Sequence, residues 1–181
     1  RTKGEKKMKK SYVYLLTTFM LWGSLYVVSQ FVLGKIPTFT VAMFRYLIAF
    51  IALSLISLKT EKEKIEKSDY KYFFIMGFIG YFISVDCQLL GTKIAGGSMA
   101  SLINSLNPVI ISVMAMIILN EKLEMNKIVG IVLSLAGVYM IIGTGANIQF
   151  LGVLISFIAV IGWAFMSVIS RKISNKYSAL T

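Results

Sequence analysis

The chain has 181 residues, of which 57% are hydrophobic and only 15% charged, with a mean hydropathy of +0.77 and a formal net charge of +11. A soluble domain of this size is about half apolar and about a quarter charged, so the composition excludes an ordinary water-soluble fold. There is no histidine and one cysteine, Cys87. That removes His-based metal sites, His-centred catalytic triads and a disulfide framework.

Apolar runs of membrane-spanning length recur along the chain and predict an all-α, polytopic transmembrane helix bundle with six spans. Residues 1–10 form a basic N-terminal segment in which Met8 resembles a natural start. The first span covers about Ser11 to Val32. It is too long for the apolar core of a secretory signal and has no small-residue cleavage site, so it reads as an uncleaved span. Trp22, Tyr26 and Ser29 share one helical face. Trp22 is a candidate wall of a cavity, and Gly23 a point of close helix approach.

Pro37 opens the second span, Pro37 to about Leu58, at a position where its missing N–H costs nothing. Arg45 lies inside it, and Lys59–Lys71 follows as a densely charged loop, expected to be solvated. The third span, about Tyr72 to Leu90, holds Asp86 and Gln88. It also carries a stripe of small and polar residues, Gly77, Gly80, Ser84, Gln88 and Gly91, suited to packing inside a bundle. The fourth, starting at Gly96 and reaching about Leu123, carries Asn104, Asn107 and Pro108 near its middle. Ile128–Ile142 is a short fifth span with Gly130 and Gly137 one heptad apart, a spacing that predicts tight contact. Ile148–Ile169 is the sixth, and a further span is expected to begin at Tyr177–Leu180.

Sixteen of the nineteen lysines and arginines fall at one set of span ends, Lys35 and Lys93 at the other, and Arg45 within a span. The positive-inside rule then places the N-terminus in the cytoplasm of a multi-pass cell-membrane protein. It also accounts for the net charge without a nucleic-acid partner. A faint repeat relates Trp22-Gly23, Val27 and Ser29 to Trp163-Ala164, Val168 and Ser170. The two spans run in opposite directions, as in the inverted repeats of secondary transporters.

Counted from the nearest span end at about 1.5 Å per residue, Arg45 lies about 12 Å deep and Asp86 about 13 Å. Gln88, Asn104 and Asn107 fall within the same layer, about 10 to 15 Å deep. Charged and polar groups inside a bilayer are costly and mark functional paths. Two readings follow. In one, Arg45 offers a bidentate fork to an anionic group, Asn104, Asn107, Gln88 and Trp22 complete a substrate site, and Asp86 carries a proton. In the other, Arg45 and Asp86 pair with each other, and Asn104 and Asn107 hydrogen-bond between helices. Pro108 removes the helical bond to the Asn104 carbonyl and is a candidate hinge.

In their order and spacing these motifs resemble the EamA family of the drug/metabolite transporter superfamily. The matching residues are Trp22-Gly23, Pro37 with Phe44-Arg45-Tyr46, Ser105-Leu106-Asn107-Pro108, Asn120-Glu121-Lys122-Leu123, and Gly130 with Gly137. The resemblance implies ten helices in two inverted five-helix repeats and carriage of small metabolites, often outward. Residues 11–143 would be the first repeat and 147–181 the start of the second, so the chain is expected to be part of a longer protein. Asp86 is not among the matching residues. Glu121 matches, but at a helix end where capping or loop pairing is the expected role.

The function expected is secondary transport by alternating access, with export of amino acids or similar solutes. No enzyme activity, cofactor or metal is expected, and no G-x-x-x-x-G-K-[ST] loop suggests ATP. The expected partners are a small-molecule substrate, the bilayer and a possible second copy. The competing reading is a non-transporting membrane subunit or scaffold.

Overall fold

A computed structural model describes residues 3–58, 64–122, 124–142, 149–174 and 176–177, with side chains from Ser11 to Met140 and beyond Gln149 within those ranges. The basic side chains of residues 1–10, residues 59–63, the link 143–148 and the expected span start at 178–180 lie outside this description. Among the described residues the structure is helical throughout: α1 (Lys3–Leu33), α2 (Thr38–Ser57), α3 (Tyr70–Ile75), a π-helical segment (Met76–Ile83), α4 (Ser84–Ala95), α5 (Gly97–Asn104), α6 (Asn107–Leu119), α7 (Met125–Ile142) and α8 (Phe150–Ile173). Helices are the expected solution in lipid, because they satisfy their own backbone hydrogen bonds.

Five stretches are long and apolar enough to cross a bilayer: Ser11–Leu33, Thr38–Ser57, Tyr70–Ala95, Gly97–Leu119 and Phe150–Ile173. The fifth expected span, α7, is apolar over the shorter stretch Met125–Met140. The third span is α3, the π-helical segment and α4 in sequence. The fourth is two helices, α5 and α6, interrupted at Ser105-Leu106 just before Asn107-Pro108. The chain is therefore a multi-pass membrane helix bundle.

α8 occupies the centre, with half of its apolar window buried against 6% for α1 and for α2. Small residues make this possible. Ser84 Oγ donates to the Ala159 carbonyl at 2.6 Å, and a Cβ built on Gly162 would meet Ser84 at 3.2 Å. A Cβ on Gly152 would meet the Ala95 backbone at 2.6 Å, and one on Gly80 or Gly91 would overlap Met166 or Ser156. The contacts run in opposite directions along the two chains, so α4 and α8 are antiparallel neighbours at near-backbone distance. Gly80, Ser84 and Gly91 of the predicted stripe serve this contact. Gly77 does not, and neither do Gly23, Gly130 and Gly137, whose added Cβ would meet nothing within 4 Å. Among the described residues the close approach predicted at Gly23 and the tight contact predicted at Gly130 and Gly137 are thus not seen. Spacing alone does not say which face a neighbour takes.

One end of the bundle is tied by polar contacts. Lys176 Nζ bridges Asp69 at 3.1 Å and Glu66 at 3.3 Å, and the Tyr177 hydroxyl donates to Asp69 at 2.8 Å. Asp69 is only 6% exposed, so this part of the charged loop is packed rather than simply solvated. Beside it Arg171 pairs with Glu121 at 3.0 Å, the loop-pairing role expected of Glu121. Asn120 ends α6 with φ 52, in the left-handed region that asparagine tolerates better than most residues.

Candidate functional site

A cleft opens between α1, α2, α4, α8 and the α5–α6 break. It contains about 430 Å³ of unfilled space, part of it open to the outside, and it is lined by Trp22, Leu25 and Tyr26, by Arg45, by Ser84 and Gln88, by Asn104 and Asn107, and by Ala159 and Trp163. At 1.5 Å per residue, these positions lie about 10 to 20 Å from the span ends near Pro37. The site therefore sits at membrane depth, on the opposite side from the Asp69 tie.

Local sequence explains how each side chain arrives there. Trp22, Leu25 and Tyr26 follow i, i+3, i+4 spacing and share one face of α1. Ser84 and Gln88 do the same on α4. Pro108 lies at the start of α6, where it has no N–H to give, and the chain turns through Ser105-Leu106 with Leu106 N–H bonding Ile103 C=O at 3.0 Å. This break turns Asn104 and Asn107 toward each other across the gap, and Asn107 Nδ2 donates to Asn104 Oδ1 at 2.6 Å.

The wall combines aromatic surface with polar groups that are mostly engaged. Trp22 and Trp163 meet edge to face with centroids 5.5 Å apart, and Tyr81 packs on Trp163 at 6.1 Å. The two tryptophans are the paired positions of the faint repeat, and they meet at the cleft. Gln88 Nε2 donates to the Tyr26 hydroxyl, and Ser84 is spent on Ala159. Asn107 and Arg45 stand apart. Asn107 Oδ1 is buried without a hydrogen-bond partner, in a residue only 7% exposed. Arg45 is exposed, and among the described residues no carboxylate lies within 4.0 Å of it.

All five residues expected at a substrate site, Trp22, Arg45, Gln88, Asn104 and Asn107, are brought to this one cleft. Asp86 is not. It lies two residues after Ser84, about 200° around the helix, on the side of α4 turned away from the α8 contact, and it does not line the cleft. Its Oδ1 is buried without a partner, and it forms no salt bridge with Arg45. The expected Arg45–Asp86 pair is therefore absent, because equal depth does not place two side chains at the same angle. Asn104 and Asn107 bond to each other across the break of one span, not between separate spans as the structural reading expected. Tyr26, Ser84 and Trp163 are additions. Helical spacing from Trp22 marks Tyr26, the small-residue stripe marks Ser84, and the repeat marks Trp163.

Residues 9–143 match the EamA-like transporter family. The chain is similar to the "Uncharacterized transporter YetK" of Bacillus subtilis, 30% identical over 97% of this chain and 56% of that protein. It is also similar to an uncharacterized transporter of Clostridium kluyveri, 27% identical over 91% of this chain and 57% of that protein. A third, from Archaeoglobus fulgidus, is 22% identical over 95% of this chain and 61% of that protein. The chain thus spans a little over half the length of these relatives. No solved structure matches it. With a family match covering most of the chain, and helices, break and cleft built from the motif residues, this chain belongs to the EamA-like transporter family.

Proposed function

We propose that this chain forms the first five-helix repeat (residues 11–143) and the opening of the second (147–181) of a secondary transporter. That protein exports amino acids or similar small carboxylates by alternating access. Residues 1–10 and the charged loops would face the cytoplasm of a cell-membrane protein, in keeping with the positive-inside rule. Arg45 would bind the carboxylate through its fork, Asn104, Asn107 and Gln88 would orient the solute, and Trp22 would wall it. The α5–α6 break at Pro108 would serve as the hinge. Asp86, off the cleft, would act in proton coupling from a separate place.

The observation that carries this reading is Arg45: a guanidinium at membrane depth, lining a cleft and lacking a carboxylate partner among the described residues. Such a charge is expensive, and an anionic solute compensates it. The test uses the intact gene product in inside-out vesicles with a proton gradient, offered a mixed metabolite panel read by mass spectrometry. Wild type should accumulate a carboxylate-bearing class. Arg45→Leu should insert and fold normally and lose at least about tenfold in affinity, the loss of one charge-assisted pair. Asp86→Asn should abolish the gradient dependence alone. Misfolding of Arg45→Leu would return Arg45 to a structural role. No accumulation of any solute by folded protein would favour the scaffold reading.

A further inference from the structure

The same cleft holds a second demand on its ligand, and the inference drawn from it rests on the transporter reading above. The Asn107 amide is anchored at one end: its Nδ2 is spent on Asn104 Oδ1, which leaves Oδ1 as the free end. That oxygen is buried, has no partner, and belongs to a residue more than nine-tenths buried on the cleft wall. Gln88 Nε2 is spent on Tyr26 and Ser84 Oγ on Ala159, and no donor of the described residues lies within hydrogen-bond reach of Asn107 Oδ1. The cleft thus presents a cation needing an anion and a buried acceptor needing a donor.

We infer that Asn107 is a specificity-determining residue, whose Oδ1 selects carboxylates that carry an N–H or O–H donor over carboxylates that carry none. A solute that fills the cleft expels the water that would otherwise serve Oδ1. If the solute brings no donor, a buried acceptor is left unsatisfied, and sites built this way reject such analogues strongly. An ammonium satisfies Oδ1 through a charge-assisted bond and outranks a hydroxyl. The preferred order is amino acid, then 2-hydroxy acid, then the plain acid with neither group.

The test is equilibrium binding to the intact gene product in lipid nanodiscs. The twenty standard amino acids are screened first, and the best-bound one is then compared with its 2-hydroxy and deaminated counterparts. Wild type should prefer the amino acid over the deaminated acid by about 10- to 100-fold, with the hydroxy acid between. Asn107→Leu should flatten that series toward equality, while Asn107→Asp, which keeps an acceptor, should retain the preference for the amino acid. A merely structural role would weaken all three ligands by the same factor and leave their ratio unchanged, which would overturn the inference. Where Asn107→Leu does not fold, Asn107→Ala gives the same comparison. Equal binding of amino acid and deaminated acid by wild type would overturn the inference and leave the transporter reading intact. Binding of none of the twenty would also overturn it, while accumulation of another solute class in the vesicle assay would keep that reading.

Discussion

Gly91 and Gly130 are alike in sequence, each a glycine in an apolar helical run, and they differ in what surrounds them. A Cβ on Gly91 would overlap Ser156 Oγ and come within 3.0 Å of the Ser156 backbone nitrogen, while one on Gly130 would meet nothing within 4 Å. Gly91→Val should therefore lower stability by about 1–3 kcal/mol through overpacking at the α4–α8 contact. Gly130→Ala should be neutral or gain up to about 1 kcal/mol from helix propensity. Melting of the two variants in detergent decides it, and equal behaviour would contradict this packing. Asp86 gives a similar lesson. Its depth follows from counting residues, because the helical rise is constant. The angle was available too, since Asp86 and Gln88 are two positions apart and cannot share a face. Common depth by itself does not place them on one wall.

At the scale of elements, the break between α5 and α6 is legible because proline removes a specific hydrogen bond. The π-helical segment before α4 is not. No proline marks Met76–Ile83, and its tertiary partners include Met166 against Gly80, Trp163 against Tyr81 and the Tyr46 hydroxyl donating to the Tyr81 carbonyl. The Asp69 tie is equally hidden, because its partners are more than a hundred residues away in sequence. The Tyr177 hydroxyl first, and the Lys176 ammonium second, hold the Asp69 carboxyl below its ordinary value of 3.8. Lys176 is held above its ordinary 10.5 by Asp69 first and Glu66 second. A depressed carboxylate stabilises the fold above its ordinary value and loses that effect as pH falls through the lowered one. A raised lysine stabilises below 10.5 and loses its effect as pH rises through the raised value. The tie should hold throughout the neutral range and open only in acid below the ordinary carboxylate value. Asp69→Asn should accordingly melt below wild type at pH 7, and the two should converge in strong acid. A difference that persists in acid would mean that the Asp69 charge is not what holds this end.

Across the whole molecule, α8 is the most enclosed of the apolar spans and α1 and α2 the least. Their side chains, Phe19, Phe31, Phe39 and Phe50 among them, lie largely exposed, as suits helices whose outer surface meets lipid. The proposed orientation is testable on a Cys87→Ser background. A membrane-impermeant maleimide should label Lys35→Cys in intact cells, and Glu124→Cys only after permeabilisation. The reverse pattern would invert the topology.

The class of the molecule and the depth of its polar layer are readable from the chain before it folds. Apolar run length, the cost of charge in lipid and a fixed rise per residue act locally, and they are readable one segment at a time. The sequence also marked Arg45, Asp86, Gln88, Asn104 and Asn107 as residues of one layer. Tertiary structure decided which of them face one another. Azimuth and helix neighbours depend on where small residues let backbones meet, as Gly80, Ser84 and Gly91 do against α8. Among the described residues it also left Arg45 with no carboxylate within 4.0 Å and Asn107 Oδ1 with no donor. Whether a polar group is satisfied depends on every chain segment around it, and no local pattern carries that information.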